Sequence, residues 1–317
     1  MGPTASGKTG VAVELAQRLP IELISVDSAL VYRDMNIGTA KPDAATLARA
    51  PHHLIDIISP TGAYSAAAFC TDALRLMHEI TQRGKIPMLV GGTMLYFKAL
   101  REGLSDLPKS DPAIRAALND EIEKFGIEHL YRQLERVDAE TAARLKPTDM
   151  QRIQRALEVY QISGKSLSEL IRQSPLDKGE QVAGGRNGAT GEIPYKIISI
   201  ALIPSNRAQL HARIETRFKA MLAQGLLDEL SGLREKYLLQ PDMTSMRCVG
   251  YRQAWQFMAG EINATQLLET GLAATRQLAK RQLTWLRSTP TDIEVDCLAP
   301  ELTQTIAENL SVVVHSC

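Results

Sequence analysis

The stretch Gly2-Pro3-Thr4-Ala5-Ser6-Gly7-Lys8-Thr9 (GPTASGKT, residues 2–9) decides the fold. It satisfies the pattern G-x-x-x-x-G-K-[ST] at every position. The glycines let backbone N–H groups converge on phosphate oxygens, and the helix that follows adds its positive N-terminal end. Lys8 supplies a point charge, and the Thr9 hydroxyl suits a Mg²⁺ ligand. Such a P-loop names the group bound rather than the reaction, because nucleoside triphosphates and other diphosphates fit the same cradle. The motif also expects a strand before it, and only Met1 precedes Gly2. A central strand of about five buried apolar residues, at ~1.5–3 kcal/mol each, is comparable to a domain's whole stability of ~5–15 kcal/mol. The expectation is therefore that the natural start lies upstream of Met1.

Outward from the loop, the first hundred residues alternate helix and strand. Val11–Leu19 has helical spacing, Ile21–Val26 (IELISV) reads as a short buried strand, Asp72–Arg83 as a helix, and Ile86–Val90 as a strand stopping at Gly91-Gly92. That alternation predicts a parallel sheet covered on both faces. From Asp111 to about Arg172 the chain is polar and helix-rich without a strand. Ser174–Pro194 is rich in Gly and polar residues and reads as a mobile loop. Tyr195–Ile203 (YKIISIALI) resumes as a strand, and short strands are possible at Ile293–Val295 and Ser311–Val314. The fold class expected is α/β: a P-loop NTPase-like parallel sheet flanked by helices, with a small all-helical insertion domain. The division is 1–108 for the first part of the core, 109–172 for the insertion and 173–317 for the continuation of the core.

Composition narrows the class. Of 317 residues, 44% are hydrophobic and 23% charged, which is ordinary globular usage. No apolar run approaches the roughly 18 residues of a bilayer span, and no charged-then-apolar leader opens the chain, so neither membrane insertion nor export is expected. Cys70, Cys248, Cys297 and Cys317 lie far apart with no C-x-x-C pair, which argues against zinc or a disulfide framework and fits the cytoplasm. Basic and acidic residues number 36 each. A basic excess is the usual mark of nucleic-acid binding, so here only the distribution of charge can speak.

Parallel strands bring their carboxyl ends to one edge, and ligands bind there. The P-loop, Asp27-Ser28 and Gly91-Gly92-Thr93 should meet at that rim. Asp27 is then a metal ligand or a general base, or alternatively a turn residue, and Thr93 is a site residue or a helix N-cap. Basic segments lie elsewhere. Thr270–Thr291 lacks an acidic residue, and at roughly 100° per residue Arg276, Lys280 and Arg287 fall within about 40° of one helix face. That is a phosphate-tracking stripe or a solvated face. Arg152 and Arg155 form an i, i+3 pair. Arg247-Cys248-Val249-Gly250-Tyr251-Arg252 joins two cations to an aromatic that stacks on a base or simply packs. Arg213 and Arg217, four apart around Glu215, clamp a diphosphate or form surface ion pairs; spacing favours the latter. His52-His53 has no partner at metal-ligand spacing and reads as structural.

Taken together, several segments resemble the tRNA dimethylallyltransferase (isopentenyl-diphosphate:tRNA transferase) family. They are GPTASGKT at 2–9, DSALVYRDMNIGTAKP at 27–42, GGTMLYFKAL at 91–100, DMQRIQRALEVYQISGKSLSEL at 149–170, RCVGYRQAW at 247–255 and TRQLAKRQLTWLR at 275–287. They keep the family's order and span nearly the whole chain. The resemblance implies transfer of a dimethylallyl group from dimethylallyl diphosphate to N6 of the adenine at tRNA position 37, beside the anticodon, in tRNAs reading U-starting codons. It further implies that Gly2, Pro3, Thr4, Ala5, Ser6, Gly7, Lys8 and Thr9 hold the donor diphosphate, with Thr9 on Mg²⁺ and Arg217 near the phosphates. Asp27 is implied as general base, with Lys8 and Thr9 also catalytic. Asp27 itself, Ser28, Ala29, Leu30 and Thr93 would contact the target nucleotide. Arg115, Gln151, Arg152, Ile153, Gln154 and Arg155, the run Arg247, Cys248, Val249, Gly250, Tyr251 and Arg252, and Gln277, Lys280 and Arg281 would meet tRNA. A cytoplasmic monomer with tRNA and dimethylallyl diphosphate as partners is expected.

Other classes make different demands. A small-molecule phosphotransferase (kinase) would turn over ATP and have no use for the basic segments after Thr270. An RNA-binding switch would not need the Asp27 carboxylate for chemistry. An isopentenyltransferase acting on free adenine nucleotide would need neither the helical insertion nor the basic helix.

Overall fold

The computed structural model describes residues 1–103, 107–173, 186–187, 191–192 and 195–315, the last five of these and the two short pairs by backbone alone. It forms two compact units, Met1–Ala99 with Tyr195–Cys317, and Leu100–Pro194. Elements in chain order are α1 (Lys8–Arg18), β1 (Ile21–Val26), α2 (Ala44–Arg49), β2 (His52–His53), α3 (Ala66–Gln82), β3 (Ile86–Gly91) and α4 (Met94–Glu102). The second unit holds α5 (Pro112–Phe125), α6 (Ile127–Val137), α7 (Ala139–Arg144), α8 (Met150–Ser163), α9 (Leu167–Gln173), β4 (Arg186–Asn187) and β5 (Gly191–Glu192). The first unit resumes with β6 (Ile200–Ile203), α10 (Arg207–Ala223), α11 (Leu226–Lys236), α12 (Tyr251–Met258), α13 (Ala264–Ser288), β7 (Ile293–Asp296) and α14 (Leu302–His315).

The expected α/β architecture is present. β1 lies between β2 and β3, all parallel, with Ile21 opposite Ile86 and Val26 opposite Gly91. Because the two strands end level, Asp27 and Gly92 emerge side by side. All but Glu22 of β1 is buried, with no alternation, so both faces of the strand are covered. Beneath α1, Ala12, Val13 and Leu15 pack on Leu23, Leu202, Ile293 and Val295, each fully buried larger side chain contributing about 1.5–3 kcal/mol. β6 and β7 form a separate parallel pair. The Met1 backbone lies along β6: its amino group donates to Ile200 O at 2.6 Å, and Leu202 N–H donates to Met1 O at 2.9 Å. The P-loop is thereby launched from beside β6.

Several boundaries differ from expectation. The strand after the insertion is confined to Ile200–Ile203, because its partner β7 is itself only four residues long. α3 starts at Ala66 rather than Asp72, since the Ser65 hydroxyl caps it by accepting from Ala68 N–H at 3.1 Å. Ser311–Val314 is helical, not a strand. It closes α14, whose inward face carries Leu302, Ile306 and Leu310 at helical spacing. The segment 174–194, read as a mobile loop, lies outside the described residues except for β4 and β5, which pair antiparallel. The second unit packs on Leu118, Leu130, Leu134, Ile153 and Leu157, and is helical from Pro112 to Gln173. Among the described residues no helix is long and apolar enough to cross a membrane.

Candidate active site

The P-loop turns sharply into α1. Ala5 and Gly7 both take positive φ (63° and 82°), and Gly7 caps α1 without a side chain, so the first amides of the helix face outward unblocked. Lys8 Nζ donates to Pro3 O at 3.3 Å, which folds the ammonium back over the loop. Burial pushes the Lys8 pKa down to about 8; Asp27 counteracts this and Arg217 adds to it. From α10, Arg217 donates to the Thr4 hydroxyl. Its guanidinium is also driven down by burial and held up by Asp27. The surface ion pair favoured for Arg213 and Arg217 is not what forms. Glu215 instead engages Lys219 and Arg276, while Arg213 donates to Cys297 O at 3.0 Å. Only Arg217 enters the site.

Opposite the loop, Asp27 Oδ1 accepts from Ala29 N–H at 2.9 Å and Leu30 N–H at 3.4 Å, leaving Oδ2 for other partners. The Thr93 hydroxyl accepts from Ser28 N–H at 3.0 Å and donates to the Ser28 hydroxyl at 3.4 Å. The two strand ends are thus tied together. A cavity of about 510 Å³ runs between these groups, lined by Lys8, Thr9, Asp27, Ser28, Thr93 and Arg217. Phe218 and Met221 of α10, Leu278 and Trp285 of α13, and Leu95 give it an apolar wall.

The metal expected at Thr9 can be tested against the donors present. Thr9, Ser25 and Asp27 all line the cavity, and Ser25 Oγ is buried without a hydrogen-bond partner. An oxygen-liganded, partly hydrated cation bound to diphosphate suits such a set. Among the described residues no cluster of three His, Cys, Asp or Glu side chains could hold a metal alone. His53 donates to or accepts from Glu22 at 3.0 Å, and His52 Nδ1 meets Ala50 O at 2.7 Å, as a structural pair would.

The run 247–252 divides by burial. Arg247, Cys248 and Val249 line the cavity and Arg252 is exposed. Tyr251 is fully buried, so base stacking is corrected to packing: its hydroxyl donates to Glu229 and its ring lies where a Gly38 Cβ would be 2.5 Å away. Burial, with Asp27 adding, pushes the Cys248 thiol up to about 12 and so disfavours the thiolate. On α13, Gln277, Lys280 and Arg281 are exposed, and Arg281 also borders the cavity. Arg276 turns toward Glu215 instead of continuing the stripe.

In the second unit, the run 151–155 winds once around α8. Gln151 and Arg152 are exposed, whereas Ile153 is fully buried in the helical core, so its side chain is withdrawn from any RNA contact. Gln154 donates to Asn119. Arg115 and Arg155 both donate to the buried Glu158, at 3.0 and 2.7 Å. Burial alone would raise the Glu158 pKa; hydrogen bonds from Ser110, Arg115 and Arg155 outweigh it and hold the carboxyl at about 2.

Two supports of the site and one buried cation beside it escaped the sequence reading. Glu229 accepts from the backbone N–H groups of Asn36, Ile37 and Gly38 at 2.9, 2.8 and 3.2 Å, pinning a loop that flanks the cavity. Lys41 is buried and donates to Tyr32 O at 2.8 Å and to Asp56. Gln282 bridges the P-loop and Gly92. Glu229 and Gln282 work through backbone groups distant in sequence, which no spacing pattern reports.

Comparison with known proteins identifies the family. A family model described as IPP transferase matches residues 30–289. A tRNA dimethylallyltransferase of Azoarcus sp. is 56% identical over 97% of this chain and 93% of its own. One from Methylobacillus flagellatus is 56% identical over 95% of this chain and 92% of its own. Among solved structures, the full-length tRNA isopentenylpyrophosphate transferase of Bacillus halodurans aligns with a TM-score of 0.68 and 32% identity, over 99% of this chain and 94% of that one. A eukaryotic dimethylallyltransferase acting on tRNA aligns with a TM-score of 0.76 and 26% identity, over 99% and 77%.

Proposed function

The chain belongs to the IPP transferase family, and from that premise we propose that it moves a dimethylallyl group from dimethylallyl diphosphate onto N6 of the adenine at tRNA position 37. The observation that carries the chemistry is the facing pair of rims. Lys8, Arg217 and outward amides lie on one side of the cavity, and Asp27 with Ser28 and Thr93 on the other.

The diphosphate sits on the P-loop amides and Lys8, with Arg217 beside it. The five-carbon group lies against Phe218, Met221 and Leu278. The adenine leaves the anticodon stack and enters from the side of Asp27 and Thr93. N6 attacks C1 as the C1–O bond breaks, and the bonding pair departs with the diphosphate. Charge gathering there is met by cations and dipoles already in place. Exocyclic N6 becomes acidic only as the new bond forms, and Asp27 Oδ2 then takes its proton. Mg²⁺ at Thr9, when bound, would neutralise diphosphate charge. Arg115, Arg152 and Arg155 of the second unit, and Arg252, Lys280 and Arg281 of the first, supply phosphate contacts. A monomer working in the cytoplasm completes the proposal.

The test is product stoichiometry. Protein, Mg²⁺, donor and unmodified tRNA should release one diphosphate per prenylated adenosine, with added ATP untouched. ADP appearing without modified adenosine would favour a phosphotransferase.

A further inference from the structure

We propose that Gln282 is a positioning residue that sets the donor cradle at a fixed separation from the acceptor rim; the role rests on the transferase reading above. Gln282 lies on α13 and is 9% exposed. Its Oε1 accepts from Thr4 N–H at 2.8 Å, and its Nε2 donates to Gly92 O at 2.8 Å. Thr4 belongs to the loop that carries Lys8 and receives Arg217. Gly92 precedes Thr93, whose hydroxyl holds Ser28 beside Asp27. One side-chain amide therefore spans the two halves of the site.

The fit is specific to that amide. Gln carries one acceptor and two donors at the end of a three-bond stem, so a single side chain can meet both an N–H and a C=O. Glu keeps the acceptor and loses the donor; Met keeps the length and loses both. The approach is close as well. A Cβ on Gly92 would stand 2.3 Å from Gln282 Nε2, so a side chain there would displace the bridge. The bracket comes from the helix whose exposed residues just before it are Lys280 and Arg281.

A misplacement of about 1 Å between reacting groups costs on the order of 100-fold in rate. The experiment uses the full-length protein with dimethylallyl diphosphate, Mg²⁺ and unmodified tRNA, comparing wild type, Gln282→Met and Gln282→Glu. Single-turnover rate at saturating substrates, tRNA affinity and melting temperature are measured together. The Met variant is expected to lose about 100-fold in rate and the Glu variant about 10-fold, with tRNA affinity within about twofold of wild type. A folded Met variant within about threefold of the wild-type rate, or one whose loss lies in tRNA affinity alone, overturns the proposal. So does failure of both variants to fold, which would make Gln282 a core residue. A wild-type protein that transfers nothing overturns the transferase reading itself, and this proposal with it.

Discussion

Lys8 gives donor binding a pH dependence whose shape can be worked out. Its ammonium sits in the free protein with a pKa of about 8, lowered by burial and by Arg217 against the opposing pull of Asp27. A bound diphosphate favours the charged form and raises that value. Donor affinity is therefore full below about 8, and is lost as pH rises from there toward the pKa of the complex. For a pKa of about 8 the dissociation constant is multiplied by about 1.1 at pH 7, about 2 at pH 8 and about 11 at pH 9. Titration calorimetry with a non-transferable thiolodiphosphate analogue and Mg²⁺, without RNA, reads this directly between pH 7 and about 9.5. Lys8→Gln should bind more weakly and lose the slope. A wild-type affinity flat across that range, or an equal slope in Lys8→Gln, would refute the assignment of Lys8 to the diphosphate.

Further outcomes follow from other residues. Glu229→Ala removes the acceptor of three backbone N–H groups and of the Tyr251 hydroxyl; of these the Gly38 N–H and the Tyr251 hydroxyl belong to buried residues, and unpaired buried groups cost about 1–3 kcal/mol each, so thermal unfolding should begin markedly lower, and an unchanged melting curve would show the latch to be idle. Glu158 is held at about 2 against its usual 4.5, so its contribution is present above 4.5 and lost as pH falls from there through about 2. The stability gap between wild type and Glu158→Gln should accordingly narrow over that window in acid-denaturation curves. Transfer of RNA binding to a handful of cations implies that tRNA affinity falls steeply between low and moderate salt; filter binding that is flat across that range would contradict it.

The fold was largely legible because its signals are local. The GPTASGKT loop, the IELISV run and the Gly91-Gly92 stop each encode backbone geometry within a few residues, and β1 occupies the expected Ile21–Val26. Asp27 and Thr93 were found because parallel strands must end at one edge. What escaped depends on distant pairing. Nothing in QLTWLR says that Gln282 reaches Gly92, 190 positions away. A motif run also does not separate its faces. Ile153 and Tyr251 stand among cations in sequence, yet helical geometry and the Gly38 contact turn both inward. The Val-rich run near the C-terminus carries β propensity, and the apolar spacing of Leu302, Ile306 and Leu310 overrides it.

The most direct measurement incubates purified protein with Mg²⁺, dimethylallyl diphosphate and an unmodified tRNA reading U-starting codons, then digests the RNA for mass analysis of its nucleosides. Wild type should place one dimethylallyl mass on adenosine 37, and Asp27→Ala should abolish it while still binding the tRNA. Undiminished modification by Asp27→Ala, or unmodified RNA from folded wild type, would contradict transfer through this site.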